Sequence, residues 1–212
     1  MDMTYQKLLY YAEESYFAER ILDWRDSGYL MKILPEIAIL DEYVHNPIYH
    51  PEGCTETEYG TALDHTIEAV RIADSMLVSA PEKLYVLFHD IGKGVTAIKY
   101  DALKRPYHNF YGHEHKGVYV MKCLGKRYNM PKSFMEACVY CIRYHMCIHR
   151  LSEMRHFKVE GIVSNPYWED LKLVSYCDDA SRGDLFDFGD WKARVDYGDS
   201  IRWANKHPMR DC

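Results

Sequence analysis

Eleven histidines in 212 residues, several of them beside carboxylates, are the part of this sequence that could do chemistry. In "LYVLFHDIGKG", residues 84–94, an apolar run ends in His89 and Asp90 and is followed at once by Gly92, Lys93 and Gly94. A charged pair at the end of a buried element is costly unless a metal or an opposite charge neutralises it. Imidazole nitrogen and carboxylate oxygen together suit borderline divalent metals. His65 in "LDHT" and an aspartate of the Asp178-Asp179 pair in "YCDDASRGD" would complete a ligand set with His89 and Asp90. Its members are distant in sequence, so three helices would have to bring them together.

Two other groupings carry reactive side chains. Cys138 and Cys141 in "ACVYCIRYHMCIHR" have C-x-x-C spacing, with His145 and His149 beyond. On one straight helix such side chains lie in a row and cannot surround a tetrahedral ion. They are therefore expected to be small apolar residues of the core. The stretch "KYDALKRPYHNFYGH", residues 99–113, holds Lys99, Lys104, Arg105 and His108 close to the histidine motifs. It reads either as a solvated loop or as a lid whose cations meet a second phosphate or a ribose-phosphate backbone.

The elements that must position these groups are helical. Apolar spacing predicts helices over roughly 4–24, 29–43, 62–79, 81–92, 113–129, 131–148 and 167–182. In the third, Leu63, Ile67, Val70, Ala73 and Leu77 recur at steps of three and four, one face of a buried helix. Pro81 and Pro131 sit where first helical turns would begin. Alternating strand patterns are scarce. "HNPIYHPEGCTETEYGT" (45–61) and the stretch from Lys93 to Gly112 read as long loops, which in a compact domain are usually functional or disordered. The tail, 185–212, shows weaker order and is expected to add one more helix. The fold class is all-α.

The chain is long enough to bury a proper core. A formal net charge of -6 argues against an extended grip on duplex nucleic acid. Seven cysteines without a repeating frame suggest reduced thiols. The acidic N-terminus lacks a signal-peptide pattern, and no run approaches membrane-spanning length. The expected location is the cytoplasm.

In order along the chain, "LDHT", "LFHDIGKG", "YGHEHKG", "IRYHMCIHR" and "CDDASRGD" resemble the HD superfamily of metal-dependent phosphohydrolases, in particular the HD domain of bacterial CCA-adding tRNA nucleotidyltransferases and poly(A)-polymerase-like proteins. The resemblance covers about Leu34 to Asp184. It implies a helical bundle with long active-site loops over 34–184, a helical N-terminal extension over 1–33 and a C-terminal extension over 185–212 packing on the same domain. No space for a nucleotidyltransferase head is expected before Leu34.

The resemblance also implies roles. His65, His89, Asp90 and an aspartate of the doubled pair match the ligands of a first metal. Asp178 is favoured because the small Cys177 precedes it, with Asp179 as the alternative. His113 and His145 match positions that hold a second metal, with Asp90 bridging. Lys93 matches a lysine that touches substrate phosphate. One or two divalent ions are implied, from Mn, Fe, Co or Ni, with Mg as a further option. The expected activity is hydrolysis of a phosphoester in a nucleotide, cyclic nucleotide or RNA end by metal-activated water, of phosphatase, nucleotidase or 2',3'-cyclic phosphodiesterase type. The rivals are a deoxynucleoside triphosphate hydrolase and a non-catalytic nucleotide- or RNA-binding module.

Overall fold

The computed structural model describes residues 3–45, 60–99 and 107–207. Helix α1 (Tyr5–Ala12) is capped by Thr4, whose hydroxyl accepts from Lys7 N, and α2 (Phe17–Asp26) follows a break at 13–16. Sequence spacing predicts one helix there, and the interruption has a long-range cause. Lys83 Nζ donates to Glu14 O at 2.7 Å, while Asp74 Oδ2 accepts from Ala18 N at 2.9 Å. Lys83 and Asp74 are buried and paired at 2.7 Å. One ion pair from later helices thus satisfies backbone groups at the end of α1 and the start of α2, a signal absent from any local window.

Pro35 splits the next expected helix. A residue before proline is pushed out of the helical region, and Leu34 sits at φ -134°, between α3 (Tyr29–Ile33) and α4 (Pro35–Ala38). A 3-10 turn, Ile39–Glu42, continues from α4.

Capping boxes set the next two starts. Thr61 and Asp64 open α5 (Ala62–Ser75), and Ser79 and Glu82 open α6 (Ala80–Phe88), with Pro81 in its first turn. A short antiparallel pair, β1 (Ile98–Lys99) with β2 (His108–Asn109), lies within the stretch expected to be loop. Beyond it come α7 (His113–Arg127) and α8 (Lys132–Ile148), where Pro131 is the cap residue itself. Then follow α9 (His156–Val163), α10 (Trp168–Ala180) and α11 (Phe188–Lys206). The eight-residue α9 is too short to show a periodic signal, and sequence spacing does not predict it. The last helix is the one expected in the tail.

Buried apolar side chains from Met3 to Ile201 form one cluster, in which Trp168, Phe17 and Phe88 are the largest fully buried residues. At its centre α10 contacts α5, α6 and α8, while α7 lies on α8 and α11 on α9 and α10. The architecture is an all-α bundle. No helix among the described residues is long and apolar enough to cross a membrane.

Candidate metal centre

The bundle brings its polar cluster together at helix ends, whose interiors belong to the core. His65 lies in the first turns of α5, and His89 and Asp90 follow α6 where the chain leaves the helix. His113 opens α7, His145 is in the last turn of α8, and Asp178 is in the last turn of α10. Gly92 makes the close approach of α7 feasible. A Cβ there would stand 2.0 Å from His113 O and 2.5 Å from Gly117 N, so only glycine lets His113 sit against Asp90.

Asp90 divides the cluster in two. Its Oδ2 lies 3.4 Å from His65 Nε2 and 3.1 Å from His89 Nε2, and Asp178 Oδ1 lies 3.1 and 3.8 Å from the same two nitrogens. Its Oδ1 lies 3.2 Å from His113 Nε2 and 3.6 Å from His145 Nε2, and these nitrogens are 3.1 Å apart. Ligand atoms about 2.1 Å from one ion stand roughly 3.0 Å apart at right angles and roughly 3.4 Å apart at the tetrahedral angle. Most separations in the two sets, 3.1–3.4 Å, match that spacing, while His145–Asp90 at 3.6 Å and His89–Asp178 at 3.8 Å are wider.

Hydrogen bonds fix which ring nitrogen carries the proton. Nδ1 of His89, His113 and His145 donates to the carbonyls of Val86 (2.7 Å), Phe110 (2.8 Å) and Ile142 (3.0 Å). A carbonyl can only accept, so in each neutral ring Nε2 is left as a lone pair. The Ser181 hydroxyl donates to Asp178 O at 2.6 Å and accepts from His65 Nδ1 at 2.9 Å, which leaves His65 in the same state. Nε2 of His65 and of His89 is buried without a hydrogen-bond partner among the described residues. Lone pairs aimed at one another and at a carboxylate repel unless positive charge lies between them. The donor set therefore fits a divalent cation.

Without a cation, protons and nearby basic side chains must meet that deficit. Burial alone would raise the pKa of Asp90, but the charges of His89 and Lys93, with the contacts of His113 and His145, hold it well below the usual carboxylate range. Asp178 is likewise held well below it, against burial, by Arg182, His149 and His65. Burial lowers the His145 pKa, whereas for His89 the effect of burial is overcome by Asp90 and Asp178 and its pKa rises.

The doubled aspartate divides at His65 and His89, which only Asp178 approaches, while Arg182 and His149 lie near both carboxylates. Asp179 turns away from His65 and His89: its oxygens lie 3.0 Å from Arg194, 3.1 Å from Arg182 and 3.4 Å from His149 Nδ1. Burial and the charge of Asp178 push its pKa up. His149, which the sequence reading leaves outside the ligand set, also approaches Asp178 Oδ2 at 3.7 Å.

Lys93 is buried and ion-paired with Asp90 Oδ2, and its ammonium also reaches His45 Nε2 at 2.8 Å. Of the expected substrate-contacting residues, Lys99 is exposed on β1. His108, on β2, packs edge-on against Tyr43 at 5.2 Å. Lys104 and Arg105 lie outside the described residues. The cysteines Cys138 and Cys141 are wholly buried in the core, as their helical stripe implies. Sequence reasoning missed His45, Ser181, Arg182 and Arg194 as neighbours of the cluster. Ser181 and Arg182 stand in the quoted "CDDASRGD", but nothing local marks His45 or Arg194.

Residues 62–181 match the HD domain family model. Among curated proteins, the Multifunctional CCA protein of Halorhodospira halophila is 34% identical over 131 residues, 62% of this chain and 28% of that protein. The Multifunctional CCA protein of Nitrosococcus oceani is 32% identical over 131 residues, 62% of this chain and 29% of that protein. That of Hahella chejuensis is 28% identical over 188 residues, 88% of this chain and 39% of that protein. The chain thus spans well under half the length of these relatives.

Proposed function

Because this chain belongs to the HD domain family, within the metal-dependent phosphohydrolase superfamily, we propose that it hydrolyses a phosphoester of a nucleotide, cyclic nucleotide or RNA end. The observation that carries this reading is Asp90, whose two oxygens each face a different pair of Nε2 lone pairs. In this reading His65, His89, Asp90 and Asp178 hold one divalent cation, and His113 and His145 share Asp90 to hold a second. When bound, such a cation polarises a phosphoryl oxygen and lowers the pKa of a coordinated water toward ~7.

The chain's own residues do the rest. Carbonyls and Ser181 keep each imidazole in the tautomer that offers Nε2. The burial of His89, Asp90, His145 and Asp178 excludes bulk water and strengthens every charge interaction there. Lys93 supplies an ammonium beside Asp90 for a non-bridging phosphoryl oxygen. Lys99, Lys104, Arg105 and His108 remain candidates for contact with the rest of the substrate. The reading assigns the site to a domain over 34–184, with 1–33 and 185–212 as extensions. An RNA end stands among the substrates because the chain is similar to Multifunctional CCA proteins over 62% to 88% of its length.

A panel of 2',3'-cyclic nucleotides, nucleoside mono- and triphosphates and p-nitrophenyl phosphate tests this. Hydrolysis of at least one is expected with Mn, Co, Ni or Mg, and its loss after chelation. Nucleotide binding with no turnover under any metal would replace the reading with a binding module.

A further inference from the structure

His45 lies just before the expected motifs, yet the fold pins it at the cluster. Its N–H donates to Gly60 O at 3.2 Å, Tyr43 O accepts from Ala62 N at 2.8 Å, and Val44 O accepts from His108 N at 3.1 Å. The segment is therefore tied both to the start of α5, which carries His65, and to β2. The His45 ring stacks on His65, with centroids 4.5 Å apart and planes at 23°. Its Nε2 lies 2.8 Å from Lys93 Nζ. An ammonium has donors only, so this Nε2 must accept.

We infer that His45 is a positioning residue, which shares the Lys93 ammonium with Asp90 and so weakens its hold on Asp90 Oδ2 against a cation. The inference rests on the metal reading above and concerns a residue to which that reading gives no task. Lys93 and a cation at His65 and His89 compete for the same oxygen, Asp90 Oδ2. The ammonium has three donors, and the face of Phe110, 5.4 Å away, gives it only a weak alternative. With His45 accepting one donor, less of the ammonium's demand falls on Asp90. Without that acceptor, Lys93 would bind Asp90 more fully and exclude the cation more strongly.

The test is Mn²⁺ titration of the metal-stripped full chain by calorimetry, which needs no substrate. His45→Phe keeps a flat ring against His65 and removes the acceptor, and His45→Leu removes it by a second route if the first variant does not fold. Either should weaken Mn²⁺ binding roughly tenfold, as expected for one hydrogen bond to a charged group. His45→Gln, which offers an oxygen near the position of Nε2, should restore binding to within about twofold of wild type. In a Lys93→Met background, where there is no ammonium to share, His45→Phe should leave Mn²⁺ affinity unchanged. Wild-type affinity in His45→Phe, equally weak binding in His45→Gln, or the same loss in the Lys93→Met background overturns this role and leaves the metal reading standing. A wild-type chain that binds no Mn²⁺ overturns both.

Discussion

At the scale of single residues, the two adjacent aspartates show how 100° of helical rotation separates two tasks. Asp178 faces His65 and His89, with Arg182 also at 3.5 Å, and Asp179 faces Arg182 and Arg194, with His149 also at 3.4 Å. Asp178→Asn should abolish activity and sharply reduce bound metal. Asp179→Asn should keep the metal and instead lose ~1.5–3 kcal/mol of stability, because the half-buried Arg182 and Arg194 each lose one carboxylate partner and keep another. Metal content by elemental analysis and urea unfolding of the two variants check this, and the reverse pattern would move the ligand role to Asp179. The His-Asp motif that joins the cluster was readable because His-Asp after an apolar run is chemically odd wherever it occurs. The sequence left Asp178 and Asp179 as alternatives, since the choice depends on the roll of α10 against α5. His45 was illegible because its role depends on a hydrogen bond across 48 positions.

At the scale of elements, helix ends carry the site and glycine sets their spacing. Gly92→Ala would drive a methyl into the backbone of α7 at His113 and Gly117. It should cost ~3 kcal/mol or more and weaken whatever His113 holds. Gly161→Ala, with nothing within 4 Å of the added methyl, is the control and should stabilise α9 by ~0.5–1 kcal/mol. Chemical denaturation of both variants, with a metal titration of any Gly92→Ala protein that folds, measures the contrast. Helices with strong caps were legible to within a few residues: the capping boxes and Pro81 mark α5 and α6 locally. The break between α1 and α2 was not, because Lys83 and Asp74 impose it from 56 or more positions away.

At the scale of the whole molecule, one core holds a cluster of buried charges, and its stability must follow pH. Asp90 and Asp178 have folded pKa values depressed below the ordinary ~3.9. Their stabilisation is complete above that value and is lost as pH falls through the folded ones. His89 has the opposite sign: its raised folded pKa stabilises below ~6.5 and that contribution is lost as pH rises through the folded value. The lowered pKa values of the buried His145 and His45 act against His89 below ~6.5, so for the metal-free chain the expected result is a urea midpoint that falls as pH drops below about 4. A midpoint that keeps rising below pH 3 would contradict these assignments. The all-α class was readable from periodicity, but the joining of distant helix ends into one cluster is a property of the packed bundle. The most direct test of the account is the divalent metal bound per chain in the wild type and in folded Asp90→Ala, which removes the carboxylate shared by both imidazole pairs. One to two ions are expected in the wild type and a near-complete loss in the variant, whereas equal metal content in the two proteins would contradict it.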